Sequence, residues 1–234
     1  GKSLLGHDRP TELNAQQTSD EAPLQTAPNL PTVGRIAAEF GVLVLLAIVV
    51  PICVFLDVTA LSGQVSETSL TELAQAVLIL SAAILFFVGA RRLSHATGYL
   101  MGVAILCTWM FVRENDVHLD QIRHGFWVIP NTILLGVGAL FVYRQRDTLH
   151  GPLKRHVATR EAVFMMLGFV VLIVFSRVFG SGNVWRPIMG DSYDPALKAA
   201  VQEGIELLGY ALFAFGALLS FWSDFGQQTP SENG

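Results

Sequence analysis

The densest group of ionisable residues is Arg113 to Asn131, RENDVHLDQIRHGFWVIPN, between two long apolar runs. Glu114 and His118 are four apart, as are Asp120 and His124. On a helix such pairs share a face. The series Asp120, His124, Trp127, Asn131, at offsets of four, seven and eleven, predicts one helical stripe running from the water boundary into the apolar core. Carboxylate and imidazole together are ligands for zinc or another divalent ion, calcium included. They are also the usual general acid and base. The plainer alternative is a polar loop, with Asn115 or Asp116 as a helix cap.

A second acidic group lies late in the chain. Asp194 followed by Pro195 predicts an N-cap and a first helical turn. A helix from there to Trp222 would hold about 28 residues and measure about 42 Å. Glu203 and Glu206 then fall two turns or more inside it, where capping does not account for them. Glu206, Tyr210, Phe213 and Ala217 share one face, so Glu206 is expected to point into a bundle beside Tyr210. Earlier, Ser69-x-x-Glu72 fits a capping box. The stretches from Ser69 (SLTELAQAVLILSAAILFF) and Glu203 (EGIELLGYALFAFGALLSF) align without a gap, which sets Glu72 on Glu206 as counterparts should the repeat be real.

The elements that must position these groups are membrane helices. The 234 residues are 52% hydrophobic and 15% charged, against about 25% charged in soluble domains. Several runs reach the roughly 20 apolar residues that cross a bilayer. The expected fold is an all-α integral membrane protein, a bundle of six transmembrane helices near 36–56, 70–90, 96–112, 122–142, 162–179 and 204–222. This domain, 35–224, is flanked by a polar N-terminal tail, 1–34, and a C-terminal tail, 225–234, both read as disordered. Gly98-x3-Gly102 is a close-packing motif. Trp109, Trp127 and Trp222 are expected at the membrane interface, and Trp185 in a loop that rests on the membrane surface. Cys53 and Cys107 read as small core residues.

Arg35, Arg91, Arg92, Arg144, Arg146, Lys154, Arg155 and Arg160 gather on one side of that bundle. The positive-inside rule then predicts cytoplasmic termini in a bacterial inner or plasma membrane. His95, His150 and His156 fall in cytoplasmic loops. Asp57, Glu67, Glu72, Glu114, Asp116, Asp120, Asp191, Asp194, Glu203 and Glu206 fall at the outer face.

Three functions fit. The first is a divalent-metal-dependent membrane hydrolase or transferase acting on a lipid-like substrate, because ionisable residues within spans usually mark function. Its catalytic residues would be Glu72, Asp120 and Glu206, and its metal ligands Glu114, His118, His124, Glu203 and Glu206. Arg113, Arg123, Asn131, Arg177 and Tyr210 would hold the substrate, the arginines at a lipid phosphate. Glu72, Asp120, His124 and Glu206 would converge in one outward-opening cavity. The second is an ion-coupled transporter, with Glu72, Glu206 and Asn131 as a relay. The third is an accessory subunit with protein partners in a membrane complex. Membrane lipids are partners in any case, and no basic-aromatic patch points to nucleic acid.

Overall fold

The computed structural model describes residues 32–61, 69–121 and 123–224, with the backbone alone at 60, 61, 117, 118 and 224. The C-terminal tail, nearly all of the N-terminal tail, Glu67, Ile122 and the His118 side chain lie outside the described residues.

Among the described residues the fold is all-helical. The helices are α1 (Val33–Leu56), α2 (Leu70–Arg92), α3 (Thr97–Glu114), α4 (Asp116–Asp120), α5 (Val128–Arg144), α6 (His150–Val157), α7 (Arg160–Val170), α8 (Ser176–Phe179), α9 (Gly182–Met189) and α10 (Pro195–Asp224). Five helical stretches are long and apolar enough to cross a membrane, and a sixth is added if α5 and α6, bent by 82° at their break, count as one span. The molecule is therefore a polytopic membrane-type bundle. The described residues up to Glu39 belong to a unit of their own, where Arg35 and Glu39 pair at 3.0 Å. The bundle begins at Phe40.

Local chemistry sets the helix ends. α2 starts with the expected capping box, in which Glu72 N–H donates to Ser69 Oγ at 3.0 Å and Ser69 N–H to Glu72 Oε2 at 3.4 Å. Asp57 adds a second cap from outside the helix, accepting from Leu70 N–H at 2.7 Å, Thr71 N–H at 2.8 Å and the Thr71 hydroxyl. Arg91 and Arg92 close α2, where cations complement the helix dipole. α10 starts as expected, with Ala196 N–H donating to Asp194 Oδ1 at 2.8 Å.

The core lies among α2, α3, α7 and α10, around Ile79, Phe86, Leu100, Ala104, Tyr210 and Phe213. Lipid tails are as apolar as leucine, so packing of small residues must hold such helices together. At Gly168 a Cβ would sit 2.6 Å from the Gly209 carbonyl and 2.6 Å from Phe213 N, so α7 meets the backbone of α10 directly. Gly98 serves likewise at the turn after α5, donating its N–H to Thr148 Oγ1 at 2.8 Å. Between α7 and α8 one turn, Val171–Phe175, is a π-helix.

Two expectations about extent are corrected. The fourth span does not begin near 122, because 123–127 turn back on themselves, with Gly125 at φ 77°, and α5 starts at Val128. The 180–203 connection is not an open loop. It carries α9, capped by Ser181 and tied back by Trp185 Nε1–H donating to the Phe179 carbonyl at 2.5 Å. That bond holds the Trp185 indole against the chain, although residues around it stay exposed, Ile188 among them.

Candidate functional site

Glu114 ends α3 and Glu206 sits three turns into α10; the bundle brings them into one cavity of about 320 Å³. Arg113, Arg177, Tyr210 and Trp109 line it with them, over an apolar floor of Met110, Phe169, Leu172 and Ile173. The face of α10 read from spacing is the inward one: Tyr210, Phe213 and Ala217 are buried. Tyr210 donates its hydroxyl to Glu114 Oε1 at 2.7 Å. Gln202 Nε2 donates to Glu206 Oε1 at 3.1 Å. The charges of Glu206, Arg113 and Arg177 all act on Glu114. The π turn adds a residue ahead of Arg177 and re-phases the helix, so that buried Leu172 and Ser176 coexist with an Arg177 that lines the cavity. Such turns recur at functional sites.

The expected convergence of Glu72, Asp120, His124 and Glu206 is not what forms. Glu72 is spent on the cap of its own helix. Asp120 accepts from Gly125 N–H at 2.9 Å and pairs with His124 at 3.6 Å, and the His124 side chain is fully exposed. The stripe from Asp120 to Asn131 fails because α4 ends at Asp120 and no helix joins it to α5. Arg123 is exposed in that turn. Glu203 stands among the like charges of Glu72, Asp57 and Glu206, and its carbonyl accepts from Gln75 Nε2 at 3.1 Å. Asn131 is buried, and neither atom of its amide has a hydrogen-bond partner among the described residues. The paired counterparts Glu72 and Glu206 thus take different places, one capping and one lining the cavity.

Of the proposed ligand set Glu114, His118, His124, Glu203 and Glu206, the His118 side chain lies outside the described residues, and the other four form no metal-holding group. Among the described residues no group of three His, Cys, Asp or Glu stands close enough to hold a metal ion.

Two features escaped the reading of the sequence. Trp109 lines the polar cavity, a role that its reading as an interfacial residue did not include. His156, assigned to a loop, is buried on α6. Its Nδ1 meets the Tyr99 hydroxyl at 2.5 Å and its Nε2 the Ser220 hydroxyl at 2.8 Å, which ties α3, α6 and α10 together at the opposite end of the bundle. The signal was present: Leu149, Leu153 and Val157 recur at helical spacing beside His156.

A slot of about 660 Å³ runs between these two polar groups. Its walls come from α3, α5, α6 and α7, with Phe213 of α10, and Tyr99 and His156 are the polar side chains in its lining. At one end it reaches His156; at the other, Met110 and Phe169 belong to its wall and to that of the polar cavity. Its rim residues Leu106, Leu135, Met166 and Phe169 are exposed, so it opens on the flank of the bundle.

No family model, curated protein or solved structure matches this chain.

Proposed function

We propose that this membrane protein takes one chain of an amphiphilic lipid into the lateral slot. The lipid's head is held among Arg113, Glu114, Arg177 and Glu206, where hydrolysis or group transfer takes place. The observation that carries this reading is the shared wall: Met110 and Phe169 border the apolar slot on one side and the charged cavity on the other. From Tyr99 to Met110 the slot extends along α3 for about 16 Å, half the roughly 30 Å of a hydrocarbon core and so the reach of a chain from one leaflet.

The chemistry follows from the two carboxylates. An attacking water or hydroxyl gives its proton to one as it adds to the scissile centre. The same group, now protonated, returns that proton to the leaving group, while the other carboxylate stays ionised. Tyr210 positions Glu114 and Gln202 positions Glu206. A metal-assisted route would need a third ligand near Glu114 and Glu206, which the described residues do not bring there. Ion-coupled transport finds less support, since the slot between the two polar ends is lined almost wholly by apolar side chains.

The test is photo-crosslinking in lipid nanodiscs with a phospholipid bearing a diazirine in its acyl chain. Labelling is expected to concentrate on Met110, Met166 and Phe169, and to be lost in Ala139→Trp, which fills the slot. Leu45 and Ile48 of α1, exposed like ordinary lipid-facing residues, are the internal control. Labelling no stronger in the slot than on α1 would overturn the proposal.

A further inference from the structure

We infer that the head group this cavity accepts is zwitterionic, a phosphate or carboxylate joined to an ammonium. The inference rests on the amphiphile reading and adds the class of ligand.

Two arginines and two glutamates line one small cavity, so its formal charges sum to zero. Yet the opposite charges have not collapsed onto one another. Neither Arg113 nor Arg177 is ion-paired with Glu114 or Glu206; each carboxylate is instead bound by a neutral donor, Tyr210 or Gln202. Their origins keep them apart. Arg113 and Glu114 are adjacent on α3 and so point in different directions. Arg177 arrives from α8 behind the π turn, and Glu206 from α10. The cavity thus offers cationic and anionic groups that still have capacity to bind.

Charges held in a partly dry cavity interact far more strongly than in water. An anionic head would meet the arginines but also two carboxylates, and a cationic head the reverse; each would gain one attraction and suffer one repulsion. A head that carries both signs satisfies both pairs. Trp109 stands in the same lining, and quaternary ammonium groups favour contact with indole rings. The chain attached to that head would leave past Met110 and Phe169 into the slot.

Three single-chain amphiphiles with one tail separate the possibilities: dodecylphosphocholine, dodecyl phosphate and dodecyltrimethylammonium. Each is titrated into the full-length protein held in a nonionic maltoside detergent. Binding is read as competition against the photoactivatable lipid and, in a protein whose other tryptophans are replaced by phenylalanine, as Trp109 fluorescence. Since the Trp185 indole is hydrogen-bonded, that replacement can cost folding; the competition assay in the unmodified protein then gives the ranking alone. Dodecylphosphocholine is expected to bind at least about tenfold tighter than either of the others, or 1.4 kcal/mol. Glu206→Gln should erase its advantage over dodecyl phosphate, and Arg177→Gln its advantage over dodecyltrimethylammonium. Equal displacement by all three heads would overturn the zwitterion inference while leaving the amphiphile reading intact. Displacement by none, with no labelling of the slot, would remove both.

Discussion

The Tyr210 hydroxyl donates to the Glu114 carboxylate at 2.7 Å and so ties α10 to α3 across 96 positions of the chain. Tyr210 is buried, and a hydrogen bond to a charged group contributes about 1.5–3 kcal/mol. Tyr210→Phe keeps the ring and removes the bond. Thermal unfolding in detergent should show a loss of about 2 kcal/mol, and the freed Glu114 should weaken head-group binding as well. An unchanged unfolding temperature would mean that the contact does not hold the two helices.

His156 bonds to Tyr99 and to Ser220 at the other end of the bundle. Ser220→Ala removes one of these bonds, and His156→Phe removes both while keeping an aromatic ring. At about 1 kcal/mol for each net bond, the histidine variant should lose about twice as much stability as the serine variant. A double-mutant cycle of Tyr99→Phe with Ser220→Ala measures whether the two bonds strengthen each other through the ring. Equal losses for His156→Phe and Ser220→Ala would show that the Tyr99 bond adds nothing.

Asn131 leads to the opposite sign. A buried amide without partners costs about 1–3 kcal/mol, and Asn131 is 3% exposed with neither amide atom bonded among the described residues. Asn131→Leu should therefore raise the unfolding temperature of the ligand-free protein. A fall would show that the amide is satisfied by a group beyond the described side chains, and would return Asn131 to the site residues.

The clustering of Lys and Arg at the ends of α2, α5 and α6 and the start of α7 leads us to propose that this end faces the cytoplasm, with the Glu206 cavity opening outward. In a protein freed of Cys53 and Cys107, His150→Cys should resist an impermeant maleimide in intact cells and react once they are opened. Strong reaction in intact cells would reverse the orientation.

What was legible in the sequence was local. Ser69 with Glu72, and Asp194 with Pro195, mark helix starts because a cap is a contact within one turn, and both caps are present. The inward face of α10 was legible for the same reason, since helical period fixes which residues line up. The Asp120 to Asn131 stripe failed because period says nothing about where a helix stops. Gly125, at positive φ, and Pro130, in the first turn of α5, were the readable signs of a break. The meeting of His156 with Tyr99 and Ser220 spans 57 and 64 positions. Such pairings follow from how helices pack, and spacing along one helix does not encode them. Arg177 was singled out for its charge, but its place in the cavity depends on a π turn within an apolar run that nothing in the residue types announces.

α10 has 30 residues, which at 1.5 Å each make about 45 Å, well beyond the thickness of a typical hydrocarbon core, about 30 Å. Such a mismatch is relieved by tilting or by letting an end protrude, at a fraction of a kcal/mol per Å. Glu206 lies eleven residues after Pro195, so relief at this end of the helix sets the level of the cavity against the phosphates of the surrounding lipids. Bilayer thickness then becomes a control variable. In a thin membrane the charged pocket would ride above the head groups, and in a thick one it would sink among them. Head-group affinity measured across bilayers of increasing acyl length should accordingly pass through an optimum.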